Sequence, residues 1–204
     1  MPVKTDREYR AMSLLMPGTD KRLQSDYYVE GYATKFNMPY VLYEYDGIKY
    51  SEQIDRNALD AADLTDIIMQ YDHYGKVFAR NKMGGGKPPT LIAEPQDSGF
   101  FIAADLSLTD AAKRMYEEIT TGLIYQMSWA FNVAEDSYDR DTHLRTILRV
   151  KKVFDVSAVS IPANPDTEIS ARSWIDGVIE KEKREALARL ELAKAKYFYF
   201  NGGK

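Results

Sequence analysis

Leu123-Ile-Tyr-Gln-Met-Ser-Trp-Ala-Phe-Asn132 carries the clearest strand pattern in the chain, because its side chains alternate between bulky apolar and smaller or polar types. Successive side chains of an extended strand point to opposite faces, so this alternation predicts a strand over residues 123–132. The bulky face carries Leu123, Tyr125, Met127, Trp129 and Phe131, and the other face carries Gln126, Ser128, Ala130 and Asn132. Ser128 is therefore expected to lie opposite the apolar face.

The segments on either side of this strand predict a helix before it and a long strand after it. Thr109 can cap a helix whose apolar residues recur at helical spacing, and Gly122 is suited to end that helix. After a polar loop over residues 135–143, a strand pattern runs from residue 146 to residue 160. The pattern ends at Pro162-Ala-Asn-Pro165, because neither proline can donate a ladder hydrogen bond.

The first half of the chain is predicted to be mainly β-structure. Asp46-Gly47 predicts a tight hairpin, since both central residues of a type I′ turn take positive φ. Residues 57–66 predict a short helix, and residues 67–71 predict a buried strand that brings His73 to its end. The other predicted elements are a strand at residues 27–33 and a hairpin that pairs residues 90–94 with residues 100–107 around Asp97-Ser98-Gly99.

The last part of the chain predicts a charged amphipathic helix over residues 173–200. Its apolar stripe consists of Ile175, Ile179, Ala186, Leu190, Ala193 and Tyr197. We therefore divide the chain into an N-terminal extension (residues 1–24), a core domain (residues 25–172) and a helical tail (residues 173–204).

Composition disfavours several classes of function. The 204 residues carry a formal net charge of −4, so no overall positive field attracts nucleic acid or anionic lipid, and we expect neither partner. The chain has no cysteine, which excludes disulfides, thiolate nucleophiles and cysteine-based zinc sites. No run approaches the roughly 18 apolar residues that span a bilayer, and the first ten residues lack the apolar core of a secretory signal. We expect the protein to stay where it is made.

The chain has two histidines, which limits the choice of a base for a hydroxyl nucleophile. His143 lies in a strongly polar stretch and is typical of a solvated surface residue. His73 ends a predicted strand, where it could equally satisfy backbone groups, so its interpretation depends on a partner. Asp155 is the candidate acid partner, because a carboxylate among apolar strand residues needs a hydrogen-bond donor if it is buried. Ser128 is the candidate nucleophile.

Three other features favour simpler interpretations. Asp72 ranks below Asp155 as a partner of the histidine, because adjacent side chains of a strand point to opposite faces. The run Gly84-Gly-Gly-Lys87 is followed by Pro88 in place of the Ser or Thr of a phosphate-binding loop, which favours a plain loop. The acidic residues between positions 135 and 141 lack the spacing of a calcium loop. We expect no cofactor and no metal ion.

Several stretches together carry a resemblance to a known family. They are Gly31-Tyr-Ala-Thr-Lys-Phe36, Tyr71-Asp-His73, Val77-Phe-Ala-Arg80, Gly99-Phe-Phe-Ile102, residues 122–131 and residues 155–165. The chain resembles the prohead proteases of tailed bacteriophages, which are capsid-maturation serine peptidases with a fold similar to that of the herpesvirus assembly proteases. Two positions depart from the family pattern: Tyr74 stands where Asp is common, and Trp-Ala follows Ser128 where Ile-Gly is frequent. Neither departure removes a catalytic group.

The resemblance implies a serine endopeptidase with a catalytic triad. The base, the nucleophile and the third member of the family's site map onto His73, Ser128 and Asp155. In such a site the histidine takes the serine proton during attack on the amide, and the acid orients the histidine. We expect backbone N–H groups near Ala163-Asn164 to bind the oxyanion, since that irregular loop follows the acid closely.

The resemblance also implies an architecture and a biological context. The strand-rich pattern predicts an α+β or mainly β class, and the resemblance adds a closed or nearly closed antiparallel β-barrel surrounded by helices. The implied partners are the major capsid protein precursor or its scaffolding portion, and other copies of the chain through self-processing. The implied location is inside the phage prohead, in the cytoplasm of the bacterial host, where the helical tail would contact scaffold and be a target of self-cleavage.

A second interpretation from a different functional class stays open. The chain could be a catalytically silent, protease-like assembly component that binds capsid or scaffold subunits through its sheet and its helical tail. The sequence favours the enzyme, because the three positions His73, Ser128 and Asp155 all hold chemically competent residues.

Overall fold

The computed structural model describes residues 7–17, 21–160 and 169–201, and most of these residues lie in strands. The strands are β1 (Glu8–Pro17), β2 (Tyr28–Lys35), β3 (Tyr40–Tyr45), β4 (Ile48–Ile54), β5 (Ile68–Tyr71), β6 (Tyr74–Arg80), β7 (Leu91–Gln96), β8 (Gly99–Asp105), β9 (Gln126–Asp139) and β10 (Leu144–Val159). The α-helices of the described part are α1 (Asp110–Thr120) and α2 (Ile169–Asn201). The expected mixed, strand-rich class is confirmed.

The strands form one sheet around the long antiparallel pair of β9 and β10. The pairing order is β3-β4-β10-β9-β1-β2-β8-β7. Outside this order, β5 pairs with β10 and with β6. Two strands pair with β10 in parallel, β4 along its first part and β5 along its last part. Within the described residues no pairing links β3 to β7, so closure of the sheet into a barrel stays a prediction.

Several local elements follow from residues that the sequence marks. The turn between β3 and β4 uses Asp46 and Gly47, whose φ values are 51° and 76°, as a two-residue hairpin turn requires. The Thr109 hydroxyl accepts a hydrogen bond of 3.1 Å from the Ala112 N–H and caps α1. Gly122, with φ of 77°, follows the helix end. These predictions are confirmed.

The expected short helix at residues 57–66 is wrong, because the chain forms successive turns there. The Asp55 carboxylate accepts the Asn57 N–H at 2.8 Å, and the Asp63 carboxylate accepts the Thr65 N–H at 3.0 Å. Such Asx turns satisfy the backbone locally and compete with helix formation. The helical spacing of the apolar residues was therefore a misleading signal.

The strand that carries Ser128 differs from its expected bounds at both ends. It begins at Gln126, whereas Leu123 and Tyr125 lie outside it with 74% and 52% of their surface exposed. At the other end the expected polar loop at residues 135–143 is strand as far as Asp139. Pairing with β10 extends the hairpin there, and the Arg149–Glu135 ion pair of 3.1 Å joins the two strands across it.

The two faces of the β9–β10 pair have different roles. Met127, Trp129 and Phe131 lie on the core face, where the Trp129 and Phe131 rings stack with their centroids 4.0 Å apart. Because direction alternates along each strand, the neighbouring residues lie on the opposite face. We call this the site face, and it consists of Gln126, Ser128 and Ala130 of β9 with Asp155 and Ser157 of β10.

Helix α2 confirms the expected helix at residues 173–200, but the expected amphipathic stripe is wrong beyond Ile179, because the apolar side chains there are spread around the helix and exposed. Its first turns pack on the sheet, since Ile175 and Ile179 are buried against Leu42 and Tyr50. Farther along, the apolar side chains of Leu187, Leu190, Leu192, Tyr197, Tyr199 and Phe200 are exposed. No helix in the described part of the chain has both the length and the apolar character needed to cross a membrane.

A buried cluster of charged side chains fixes β1 against β4 and β10. Arg10 donates to both carboxylate oxygens of Glu52, at 2.6 and 2.8 Å, and Arg145 donates to Glu52 at 3.0 Å and to Glu8 at 2.8 Å. Burial raises the pKa of Glu8, but the guanidinium groups of Arg10 and Arg145 outweigh it and hold that pKa below its usual range. The stabilisation from ionised Glu8 is present at neutral pH and is lost as the pH falls through its folded pKa.

Arg145→Met should lower the free energy of unfolding by about 3–5 kcal/mol, because it leaves Glu8 and Glu52 buried with too little positive charge. Arg149→Met on the same strand is the matched control, since the Arg149–Glu135 pair is exposed and should contribute less than about 1 kcal/mol. Urea unfolding followed by tryptophan fluorescence measures both variants. Equal losses in the two variants would contradict a dominant role for the buried cluster.

Candidate active site

His73 lies in the tight turn that joins β5 to β6. Tyr71 pairs with Tyr74, so Asp72 and His73 form a two-residue hairpin loop, and their φ values are 47° and 58°. Positive φ is uncommon for residues other than glycine, although Asp and His adopt it more readily than most. Strained backbone of this kind is found at functional sites, where the surrounding structure holds a side chain in a required position.

Asp72 ties this turn to the end of β10. Its carboxylate accepts hydrogen bonds from the N–H and the hydroxyl of Ser160, each at 2.8 Å. The expectation that Asp72 is not the partner of His73 was drawn from strand alternation, whereas both residues in fact lie in the turn. The bond to Ser160 is the contact that engages the Asp72 carboxylate.

The imidazole of His73 contacts the buried carboxylate of Asp155. His73 Nδ1 and Asp155 Oδ1 are 2.5 Å apart, and the Asp155 side chain is 3% exposed. An ionised carboxylate only accepts, so Nδ1 is the donor in this contact, and in a neutral imidazole Nε2 is then the acceptor. Ser157 Oγ donates to the same carboxylate oxygen at 2.8 Å and helps to hold it in position.

Ser128 lies on the site face directly across from Ser157, one strand away from Asp155. It is fully buried, and its Oγ has no hydrogen-bond partner. His73 Nε2 is also buried and has no hydrogen-bond partner. The structure therefore brings His73 and Asp155 together and places Ser128 on the same face, but no hydrogen bond joins Ser128 to His73.

Unsatisfied buried polar atoms are concentrated at this site. In the described part of the chain the buried side-chain atoms without a partner are His73 Nε2, Ser128 Oγ, Gln126 Oε1 and Trp129 Nε1. Only Trp129 belongs to the core face. Because buried polar groups in proteins are nearly always hydrogen-bonded, three open groups at one site indicate a place that a ligand or a rearrangement completes.

Two further residues contribute to the site, and neither was among those predicted from the sequence: Tyr9 contacts His73, and Ser157 contacts Asp155. Tyr9 of β1 pairs with Ala130, and its ring meets the His73 ring edge-on with the centroids 4.6 Å apart. The small side chain of Ala130 leaves room for this contact. Ser157 could have been found from its position two residues after Asp155 on the same strand face, whereas the sequence around Tyr9 offers no such signal.

A cleft of about 440 Å³ opens beside the His73–Asp155 pair, between β5, β6 and β10. Its rim includes Arg80, which donates two hydrogen bonds of 2.7 Å to Asp66 and lowers the pKa of that carboxyl. Lys152 also lines the cleft and donates to Asp63 at 2.7 Å. His73 and Asp155 thus line a cleft whose wall also carries charged side chains.

The second histidine is remote from this arrangement. The expectation of a solvated His143 is wrong, because its side chain is 26% exposed and its Nδ1 lies 2.9 Å from the Tyr138 hydroxyl. The carboxylate of Glu182 on α2 lies 3.9 Å from the same nitrogen. His143 therefore belongs to the contact between the β9–β10 turn and α2.

Three other features considered from the sequence are the glycine run, a metal site and the oxyanion loop. Gly84–Gly86 form a single 3₁₀ turn in the loop between β6 and β7. Among the described residues no cluster of three or more His, Asp or Glu side chains could hold a metal ion. Ala163 and Asn164, the expected source of the oxyanion donors, lie outside the described residues, so that assignment stays a prediction.

Comparison with known proteins identifies the family. A family model of the caudovirus prohead serine proteases matches residues 18–179, which is most of the chain. The chain belongs to this family. A search of curated proteins and of solved structures found no significant match. The family match includes His73, Ser128 and Asp155 within its span and leaves β1, with Tyr9, outside it.

Membership in the prohead serine protease family indicates, at the level of the family, a serine protease that acts in capsid maturation. The described geometry adds an acid–histidine pair of the kind that serine proteases use. The individual catalytic assignments stay predictions, because the match concerns the family as a whole.

Ser157→Ala should lower the free energy of unfolding by about 1.5–3 kcal/mol, because it removes a buried hydrogen bond to a charged carboxylate. Ser160→Ala is the matched control, since its hydroxyl bonds Asp72 at an exposed position and should matter less. Chemical unfolding monitored by circular dichroism compares the two. A larger loss for Ser160→Ala would show that Ser157 does not support Asp155 as described.

Proposed function

We propose that the chain is a serine endopeptidase that cleaves the scaffolding portion of a phage capsid protein during prohead maturation, and that it also cleaves itself. The observation that carries the proposal is the His73 Nδ1–Asp155 Oδ1 contact of 2.5 Å, which leaves an open Nε2 beside the sheet face that holds Ser128. The family match supports the reaction class.

In the proposed mechanism Ser128 Oγ attacks the carbonyl carbon of the scissile amide. His73 Nε2 takes the hydroxyl proton during attack and then gives it to the leaving amine nitrogen. Asp155 holds the Nδ1–H tautomer and stabilises the imidazolium that forms. A water molecule then attacks the acyl-enzyme ester, with His73 again as the base, and releases the acid product and free Ser128.

The proposed reaction requires a rearrangement that joins the nucleophile to the base. Ser128 is fully buried and makes no hydrogen bond to His73 in this structure. Hydrogen bonds between catalytic groups are often long or absent in a free enzyme and tighten when substrate binds. We therefore propose that the described state is latent, and that substrate or shell assembly exposes Ser128 and closes its distance to His73.

The later part of helix α2 is the proposed contact surface for scaffold. Ile175 and Ile179 hold its first turns on the sheet, whereas its later apolar side chains, including Leu190 and Tyr197, are exposed. Exposed apolar side chains on an otherwise charged helix are candidate contacts for a partner. We propose that this part of α2 contacts scaffold and is removable by self-cleavage without loss of the core.

The second candidate function is a catalytically silent assembly component. The complete burial of Ser128 favours it, because a substrate carbonyl cannot reach a serine that is 0% exposed. The open Nε2 of His73 favours the protease, since a silent protein has no need of an unsatisfied buried acceptor.

Wild type should cleave its capsid-protein precursor, and Ser128→Ala should leave it intact, because the variant lacks the attacking oxygen. Both proteins are incubated with and without the precursor under assembly conditions, and intact masses are followed over time. Fragments of the chain itself that end within α2 would locate self-cleavage in the tail. Identical masses for wild type and Ser128→Ala under assembly conditions would favour the silent component.

Asp155→Asn should lower kcat by about 10⁴-fold, because the amide favours the wrong imidazole tautomer. Asp72→Asn should change kcat only a few-fold, since the amide oxygen can still accept the Ser160 N–H and the amide NH₂ can donate to the Ser160 hydroxyl. Both rates are measured on the precursor after urea unfolding has shown that the variants are folded. A larger effect from Asp72→Asn would transfer the orienting role to Asp72.

A further inference from the structure

Arg7 stands out among the charged side chains that line the cleft beside the His73–Asp155 pair. Its guanidinium carbon lies 3.7 Å from the centroid of the Phe154 ring, so the cation lies over the aromatic face. The residue is half-buried at the start of β1. The cleft wall thus presents a positive group supported by an aromatic ring.

The other charged groups of the cleft are already paired. Arg80 is bound to Asp66, and Lys152 is bound to Asp63. Asp155 is bound to His73 and Ser157. Within residues 7–17, 21–160 and 169–201, no carboxylate lies within ion-pair distance of Arg7. Among the described residues, Arg7 is therefore the charged group of the cleft for which no ion-pair partner is found.

The position of Arg7 is fixed by its neighbours in the chain. Glu8 and Arg10 are held in the buried charge cluster, and the Tyr9 ring packs against His73. An arginine placed in this way loses little freedom when it binds, and its planar fork of N–H donors matches the two oxygens of a carboxylate.

We propose that this cleft is a substrate-binding subsite for an acidic side chain, Glu or Asp, at a position that flanks the scissile bond, with Arg7 as the carboxylate-binding residue. The proposal rests on the proposed function, because the cleft shares His73 and Asp155 with the catalytic pair. It concerns a residue outside the family match of residues 18–179. The specificity that Arg7 confers therefore does not follow from the match.

The first test compares matched peptides that carry Glu or Gln at each position near the cleavage site found by mass spectrometry. Wild type should prefer one Glu peptide over its Gln counterpart by at least about tenfold in kcat/KM, chiefly through KM, since a charge-assisted bidentate contact is lost with Gln. Arg7→Gln should abolish the preference, and Arg7→Lys should keep part of it. Arg149→Gln, an exposed site on β10 outside the cleft, should retain the full preference.

The charge-reversed variant Arg7→Glu adds a gain of function, because it should favour a Lys peptide at the same position. Wild-type cleavage of Glu and Gln peptides at equal kcat/KM at every position would overturn the proposed subsite while leaving the proteolysis intact. If wild type shows no Glu preference and Arg7→Gln cleaves none of the peptides, the proposed subsite is also overturned. Arg7 would then have a structural role.

A second measurement does not depend on turnover and separates this proposal from the proposed function. In Ser128→Ala, the NMR signal of the Arg7 side-chain N–H group should shift in a saturable way with N-acetylglutamate amide and not with N-acetylglutamine amide. Equal shifts with both compounds, or none with either, would refute the acidic subsite even if proteolysis is established. A selective shift in Ser128→Ala, together with a wild type that cleaves nothing, would instead retain the subsite and reject the protease.

Discussion

The register of β9 against β10 is the constraint on which the rest of the structure depends. It sets Trp129 opposite Val156 on the core face and Ser128 opposite Ser157 on the site face. A shift of one residue would exchange the two faces and move the aromatic side chains out of the core. The apolar packing of Trp129 and Phe131 therefore fixes where the polar groups of the site lie, and the candidate chemistry is a consequence of core packing.

The same pair of strands organises its neighbours. β5 runs parallel to the end of β10, with Ile68 beside Asp155, and the strained turn that follows carries His73 back over the site face. Positive φ at two successive residues without glycine is costly, and the bonds between Asp72 and Ser160 hold the turn in that state. The sheet thus supplies the acid, and the turn supplies the imidazole.

The N-terminal strand connects stability to the site. Its Arg10 and Glu8 lie in the buried charge cluster, which removes four charged groups from water and compensates them with hydrogen bonds between β1, β4 and β10. Because this cluster fixes β1, it also fixes Tyr9 against His73. The segment that the family match leaves out therefore contributes to the environment of the candidate base.

Elements whose signals are local could be predicted from the amino-acid sequence. Alternation in residues 126–132, the Asp46-Gly47 turn, the Thr109 cap and the strand before His73 all depend on neighbouring residues and were predicted. The turns at residues 57–66 were missed, because carboxylates outcompeted the helical pattern. Long-range packing sets the contact of the imidazole with Asp155, the packing of Tyr9 against the imidazole, and the burial of Ser128 without a hydrogen-bond partner. These contacts join residues far apart in the chain, so their geometry depends on strand order and register, which no local pattern encodes.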